Sequence, residues 1–187
     1  MANRNSQGFG LIAAGTLGST PATSGQGKYK IDAGSTTTIY NGAAVASNAG
    51  YIIDGQTTDA PILGVLNGIF YNAATTLKPT FANFYKQPIT PANSEDIDAF
   101  VFDNPQQQYV VATDAAVAQS GYLETYDMNT SAGSTTTGKS SATLDIGDTS
   151  ADAASFRLLR SAEDPENDEN AAFRSVVVCL NLIELQS

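Results

Sequence analysis

The apolar residues of this chain occur in short runs that alternate with glycine, asparagine, aspartate and proline, a pattern typical of β-strands joined by turns. A body of such runs begins near Tyr29. The runs predict strands at about 36–40, 43–46, 50–53, 61–71, 98–103, 108–113, 121–128, 142–146, 155–160 and 174–185. Only residues 114–119 suit a helical turn. We therefore expect an all-β fold made of small β-barrel or sandwich units.

The longest of the internal runs, 61–71, can be interpreted in two ways. Its apolar positions 62, 65, 66 and 69 also match one face of a helix. Gly64 and Gly68 interrupt the run, however, and Pro61 precedes its apolar part. Because internal glycines weaken a helix and are common where strands bend, the pattern favours a bent or bulged strand.

The final run, 174–185, is apolar on both faces, which predicts a central strand or one covered by a second subunit. It contains Cys179, the single cysteine of the chain. One cysteine cannot form an intramolecular disulfide or a cysteine metal cluster. We expect Cys179 to act as a small buried hydrophobe, because no histidine or basic neighbour is available to lower the pKa of its thiol.

Residues 1–30 differ from the rest of the chain. Glycine, serine and threonine are dense there, and Pro21 would stop a helix. This composition predicts an extended N-terminal arm, with a disordered tail as the alternative. If the arm orders on a partner, Phe9, Leu11 and Ile12 are its predicted anchors, because bulky side chains of an added strand can fill pockets.

The rest of the chain is expected to form a first β unit at 31–91 and a second at 92–187, separated by a linker that Pro88 and Pro91 mark. The two units could also pack as a single domain. A chain of 187 residues is long enough to bury about 70% of the surface that it exposes when unfolded.

Two blocks of sequence carry a resemblance to a known family. The first runs from NGAAV at 41–45 through YII at 51–53 to PILGV at 61–65. The second comprises DAFVFDNP at 98–105, QYVV at 108–111 and AAVAQ at 115–119. Together with TGKS at 137–140 and the last strand, they resemble the head decoration, or cement, proteins of tailed bacteriophages, in particular virion proteins of short-tailed phages.

The resemblance implies a structural virion protein that binds the outer surface of the phage capsid and cements adjacent major capsid subunits. Such a protein is made in the host cytoplasm, and its expected partner is the major capsid protein. The family analogy also implies a homo-oligomer, with a trimer favoured.

Composition narrows the range of functions independently. The chain has no histidine, which removes the most common general base and metal ligand near neutral pH and excludes hydrolase triads and histidine metal sites. A formal charge of −10 disfavours nucleic acid. No apolar run approaches the roughly 20 residues that span a bilayer. We expect a non-enzymatic protein with no cofactor, no metal, no nucleic-acid partner and no membrane association.

One segment matches the phosphate-loop pattern G-x-x-x-x-G-K-[ST], from Gly133 to Ser140. A working phosphate loop leaves a buried strand and enters a helix, so that backbone amides converge on the phosphates. Here the preceding residues are polar, and SATLDIG at 141–147 suits a strand and a turn. We therefore interpret the segment as a hairpin loop, with a nucleotide-hydrolysing enzyme as the weaker alternative.

The acidic run 163–169 is a second candidate site. Asp164, Glu166 and Asp168 alternate as calcium ligands often do, but Glu169 stands where the calcium loop requires a glycine. The pattern therefore favours a solvated loop between two strands.

Aromatic residues suggest a third possibility. Tyr71, Phe81, Phe84 and Tyr85 could form the binding face of an adhesion or carbohydrate-binding module of a phage fibre or secreted surface protein. Aromatic rings more often cap a core, and that interpretation is favoured. Catalysis by paired carboxylates stays open, but the sequence singles out no pair.

Overall fold

The computed structural model describes residues 6–18, 25–55, 61–129, 133–147, 155–181 and 184–186. Its strands are β1 (Ile12–Thr16), β2 (Gly27–Ile31), β3 (Ala44–Asn48), β4 (Tyr51–Asp54), β5 (Gly64–Asn72), β6 (Pro79–Ala82), β7 (Ile97–Phe102), β8 (Gln107–Ala112), β9 (Thr125–Tyr126), β10 (Met128–Asn129), β11 (Thr143–Leu144), β12 (Phe156–Ser161) and β13 (Ser175–Leu180). The helical segments among these residues are short 3-10 turns, such as Ala92–Ser94 and Gln119–Gly121. The prediction of an all-β fold is confirmed.

The strands form two main antiparallel sheets. The five-stranded sheet has the order β1-β8-β13-β12-β9, and the six-stranded sheet has the order β2-β7-β5-β3-β4 with β6 paired to β5. β10 and β11 make a small separate ladder. The end strands β2 and β4 approach each other, but no ladder joins them among the described residues. The six-stranded sheet is therefore strongly curved without closing into a barrel.

Both sheets draw strands from distant parts of the sequence. β1, which precedes residue 31, pairs with β8 in the five-stranded sheet. β7, which follows residue 92, lies between β2 and β5 in the six-stranded sheet. Each sheet thus combines strands that precede residue 92 in the sequence with strands that follow it, and backbone ladders join the two sets.

A first core fills the space between the two sheets. It is built mainly from alternate residues of β8, β12 and β13, together with residues of β3 and β5 from the other sheet. β13 is buried along its whole length and lies between β8 and β12, as the two-sided apolar run predicts. The main contributors are Ala44, Val65, Tyr109, Val111, Phe156, Leu158, Val176 and Val178.

A second core lies on the opposite face of the six-stranded sheet. Its members alternate along β5 and β7 with residues of the first core, so that Leu66 and Val101 belong to the second core while Val65 belongs to the first. The loop residues Ile39 and Tyr85 join them through an isolated backbone bridge. The six-stranded sheet therefore packs on both of its faces.

β5 confirms the prediction of a bulged strand over 61–71. Its register against β7 shifts between Leu66 and Gly68, and the shift lets the strand continue to Asn72. The helical alternative for this run is wrong, because both edges of β5 are used in ladders with β3, β6 and β7.

Two predicted strands form only in part. Over 36–40, only Ile39 forms a bridge, because Thr36 and Thr37 lie exposed and no strand pairs with the threonines before Ile39. Over 121–128, Leu123 adopts a φ of +68° and the chain makes a short 3-10 turn before the two-residue strand β9. The predicted helical turn at 114–119 is likewise displaced to Gln119–Gly121. β1, β2 and β6 were not among the predicted strands, and residues 182 and 183 of the last predicted strand lie outside the described residues.

The close approach of β5 and β7 gives a test of the fold. A Cβ placed on Gly64 would collide with the Phe102 carbonyl and lie 2.7 Å from a methyl group of Val101. Gly64→Ala is therefore expected to lower the free energy of unfolding by about 1–3 kcal/mol, as overpacking does. Denaturant unfolding measures the change. The matched control is Gly15→Ala in β1, where the nearest atom is 4.0 Å away, and an equal loss in both variants would contradict the packing described here.

Candidate functional site

One face of the six-stranded sheet is only partly covered. Val65 of β5 and Phe102 of β7 lie opposite each other on this face and pack toward the five-stranded sheet. Farther along the same two strands, the five-stranded sheet no longer covers the face. There Phe70 lies opposite Asp98, and the neighbouring strands β2 and β6 extend the open area on either side.

Strand register brings one row of side chains across this open area. Lys30 of β2 pairs with Asp98 of β7, Asp98 with Phe70 of β5, and Phe70 with Phe81 of β6. Directly opposed residues in antiparallel strands share a face, so these four side chains form one line. Lys28 and Phe100 form a second, shorter row beside it. We call these six residues the exposed strip.

The aromatic end of the exposed strip is a cluster of three rings. The centroids of Phe70 and Phe81 are 4.7 Å apart, and those of Phe81 and Phe100 are 6.5 Å apart with planes inclined by 20°. Phe81 is 74% exposed, although it belongs to a strand. Contacts between rings at these distances hold the exposed Phe81 in place, so the cluster is a preformed apolar surface.

The charged end of the strip is a trio of two lysines and one aspartate. Lys28 Nζ lies 2.7 Å from Asp98 Oδ2, and Lys30 Nζ lies 2.6 Å from Asp98 Oδ1. Burial alone would raise the pKa of the Asp98 carboxyl, but hydrogen bonds and charge from the two lysines outweigh it and hold that pKa below its usual range. Asp98 therefore stays ionised and fixes both ammonium groups beside the rings.

The sequence of β2 explains why both lysines share one face. Lys28 and Lys30 alternate with Tyr29 and Ile31, which point into the second core. The Tyr29 hydroxyl donates to Asp103 Oδ2 over 2.7 Å. Burial, followed by this carboxylate, raises the pKa of Tyr29 to about 12, so the phenol remains a donor at neutral pH.

The four aromatic residues that the sequence proposed do not form one surface. Tyr85 is fully buried and donates to the Ser35 carbonyl over 2.8 Å, while Tyr71 packs against the second core. The ring of Phe84 stacks on Tyr40 at 5.7 Å. Only Phe81 belongs to the exposed strip. Phe70, Phe100, Lys28, Lys30 and Asp98 were missed, although the alternation in GKYKI and IDAFVF separates them from the core residues.

The segment from 133 to 140 is a loop without the geometry of a phosphate site. The amides of Ser134 and Gly138 close the loop on itself, and those of Thr137 and Lys139 donate to side chains within it. The Ser140 amide donates to Asn41. Residues 133–147, all of which the structure describes, include no helix. These amides are therefore not available to a phosphate.

The glycines of this loop serve packing. Gly138 has a φ of +71°, and a Cβ there would meet the Phe84 ring and the Asn83 amide. A Cβ on Gly133 would meet the Tyr40 ring and the Lys139 carbonyl equally closely. The Tyr40–Phe84 stack thus supports the loop, and the small residues that match the phosphate-loop pattern are those that allow this contact.

The acidic run 163–169 is a tightly hydrogen-bonded loop. Asp164 Oδ1 accepts from the Glu166 amide and Asp168 Oδ1 from the Asn170 amide, each over 3.0 Å. The second of these bonds lowers the pKa of Asp168. Asn167 ties the loop to β13 through both backbone polar groups of Ser175. Two of the proposed calcium ligands therefore cap turns.

Arg174 lies beneath this loop with only 2% of its surface exposed. Its Nη2 donates to Glu169 Oε1 over 3.0 Å, and its guanidinium carbon lies 5.6 Å from the centroid of the Tyr122 ring. A buried cation is costly unless it is paired. Glu169, the residue that departs from the calcium pattern, supplies that pairing.

The three proposed anchors of the N-terminal arm are in different environments. Leu11 is buried in the first core at 3% exposure, because β1 pairs with β8 and brings it between the sheets. Phe9 is half-buried beside the loop at 133–141, and Ile12 is 50% exposed. Residues 1–5 and 19–24 of the predicted arm lie outside the described residues. Cys179 is buried, and burial raises the pKa of its thiol.

Three further observations concern metal ligands, membrane-spanning helices and similarity to known proteins. In the described part of the chain, no three Cys, Asp or Glu side chains come together in a way that could hold a metal ion. Nor does any helix in that part have the length and apolar character required to cross a membrane. The chain matches no family model, no curated protein and no solved structure.

The Glu169–Arg174 pair gives a test of the acidic loop as a structural element. Glu169→Gln should lower the free energy of unfolding by about 1–3 kcal/mol, because it weakens a charged hydrogen bond to a buried guanidinium. Denaturant unfolding measures the loss. Glu163→Gln, at an exposed position in the same run, is the control and should change stability by less than about 0.5 kcal/mol. Equal effects would show that the run acts only through its total charge.

Proposed function

We propose that this chain is a structural virion protein that binds the outer surface of a phage capsid and cements adjacent major capsid subunits. It acts as a homo-oligomer, with a trimer favoured by analogy. The resemblance to head decoration proteins supports the proposal, and the blocks that carry it overlap β3, β4, β5 and β7 of the six-stranded sheet and β8 of the five-stranded sheet.

The observation that carries the proposal is the exposed strip. The Phe81 ring is 74% exposed in a cluster held by Phe70 and Phe100, and this cluster presents an apolar surface suited to a protein partner. Aromatic residues are among those that contribute most to binding at interfaces. Because contacts with Phe70 and Phe100 already hold the Phe81 ring, its docking costs little conformational entropy.

The other candidate functions have less support. Most amides of the segment at 133–140 already donate to groups of the loop or to Asn41, which gives nucleotide hydrolysis little support. Binding of sugar hydroxyls usually draws on acceptors as well as donors beside the rings, and the lysines of the strip supply only donors. The nearest carboxylate, Asp98, already receives a lysine on each oxygen.

The proposal predicts a fixed stoichiometry in virions. Quantitative mass spectrometry of purified particles should give a ratio to the major capsid protein near one, or a fixed simple fraction of it. This ratio follows because each copy would bridge neighbouring capsid subunits at a repeated position on the shell. A handful of copies per particle would indicate a tail or fibre component, and absence from virions would refute the proposal.

The exposed strip predicts which substitution prevents docking. Phe81→Ser should weaken binding to capsid shells by about 10- to 100-fold, because burying a phenylalanine contributes about 1.5–3 kcal/mol. Binding is measured by cosedimentation with shells that lack this protein. Leu123→Ser, which changes another exposed apolar residue outside the strip, is the control and should bind normally. Unaltered binding by Phe81→Ser would exclude the strip as the contact.

A further inference from the structure

We propose that the trio of Lys28, Asp98 and Lys30 is a recognition site for a carboxylate on the partner's apolar docking surface. The inference rests on the proposed function and specifies the chemistry of the surface that the exposed strip meets. Its basis is the placement of a fixed positive charge at the edge of an aromatic cluster.

Ion pairs with Asp98 hold the ammonium groups of Lys28 and Lys30 in place. The Asp98 side chain is almost buried, and each of its oxygens lies within 2.7 Å of one ammonium group. The lysines themselves remain exposed, Lys28 at 60% and Lys30 at 49% of their side-chain surface. An ammonium group has three donors, so each lysine keeps N–H groups that can bond to a partner after binding Asp98.

The trio has one more positive charge than negative. Lys30 also faces the negative charges of Asp96 and Glu95, which precede β7. Lys28 lies two residues earlier in β2, directly opposite Phe100 in the register. The surplus positive charge is therefore centred on Lys28, at the side of the trio that borders the rings.

This arrangement favours one kind of occupant. The rings require an apolar surface, and the cation beside them requires one acidic group at its margin, which together describe a protein surface bearing a carboxylate. A nucleic acid would bring many phosphates toward a chain of net charge −10. The occupant that fits is the capsid surface on which the strip docks.

The test uses the full chain and shells of the phage that lack it, with binding measured at low and at high salt. Lys28→Gln should weaken binding about tenfold at low salt, the loss expected for one hydrogen bond between charged groups, and should reduce the salt dependence. Lys28→Arg should retain binding. Lys86→Gln changes an exposed lysine outside the strip and alters the net charge by the same amount as Lys28→Gln. This control should bind like the unmodified chain.

A second arm examines the partner directly. Converting surface carboxylates of the shells to neutral amides should reduce binding of the unmodified chain to the level of Lys28→Gln, with no further loss for that variant. Thermal unfolding checks that Lys28→Gln is folded, and little change is expected because Lys30 still neutralises Asp98.

The outcomes separate the two proposals. If Phe81→Ser loses binding while Lys28→Gln binds as well as the unmodified chain, the carboxylate site is wrong and the docking surface stands. If losses for Lys28→Gln and Lys86→Gln are equal, binding depends only on net charge and the site is again wrong. If the unmodified chain fails to bind shells, both proposals fall.

Discussion

The two-faced packing of the six-stranded sheet is the constraint on which the rest of the molecule depends. Along β5 and β7, neighbouring residues point into different cores, so that Val65 and Leu66 are buried on opposite sides of one strand. The five-stranded sheet covers only one end of the face that the six-stranded sheet turns toward it, the end that carries Val65 and Phe102. Because all strands of a sheet share its two faces, the uncovered end must present side chains from several strands to solvent. The exposed strip is this remainder.

The chemistry of the strip follows from its position over a packed core. An aspartate on a central strand, with little exposed surface, is costly unless its charge is compensated, and β2 provides two lysines at the right register. Farther across, the strip has no charged residue in β5 or β6, and rings occupy the space instead. A gradient from ionic to aromatic surface over four strands is the direct result.

The sequence predicted where strands form better than it predicted which strands pair with one another. β7, β8 and β12 lie within one residue of the expected runs, because each has an apolar periodicity of its own. β1 and β6 have weak patterns and depend on an adjacent strand to form, so they could not be foreseen. The exposed strip combines residues of β2, β5, β6 and β7, and only register, a property of the fold, brings Lys30, Asp98 and Phe81 into one row.

Residue patterns associated with chemistry proved to have structural explanations once their contacts were known. Gly138 allows a loop to approach Phe84, and Asn167 and Glu169 attach an acidic loop to β13 and the buried Arg174. Each of these residues is accounted for by a contact within the chain, including Glu169, whose side chain is 74% exposed but bonds to Arg174. The strip differs, because the Phe81 ring and the lysine ammonium groups are held by neighbours yet still directed outward. Groups that are both fixed and exposed are the ones that a partner can bind at low entropic cost, which is why a binding role has the stronger physical support.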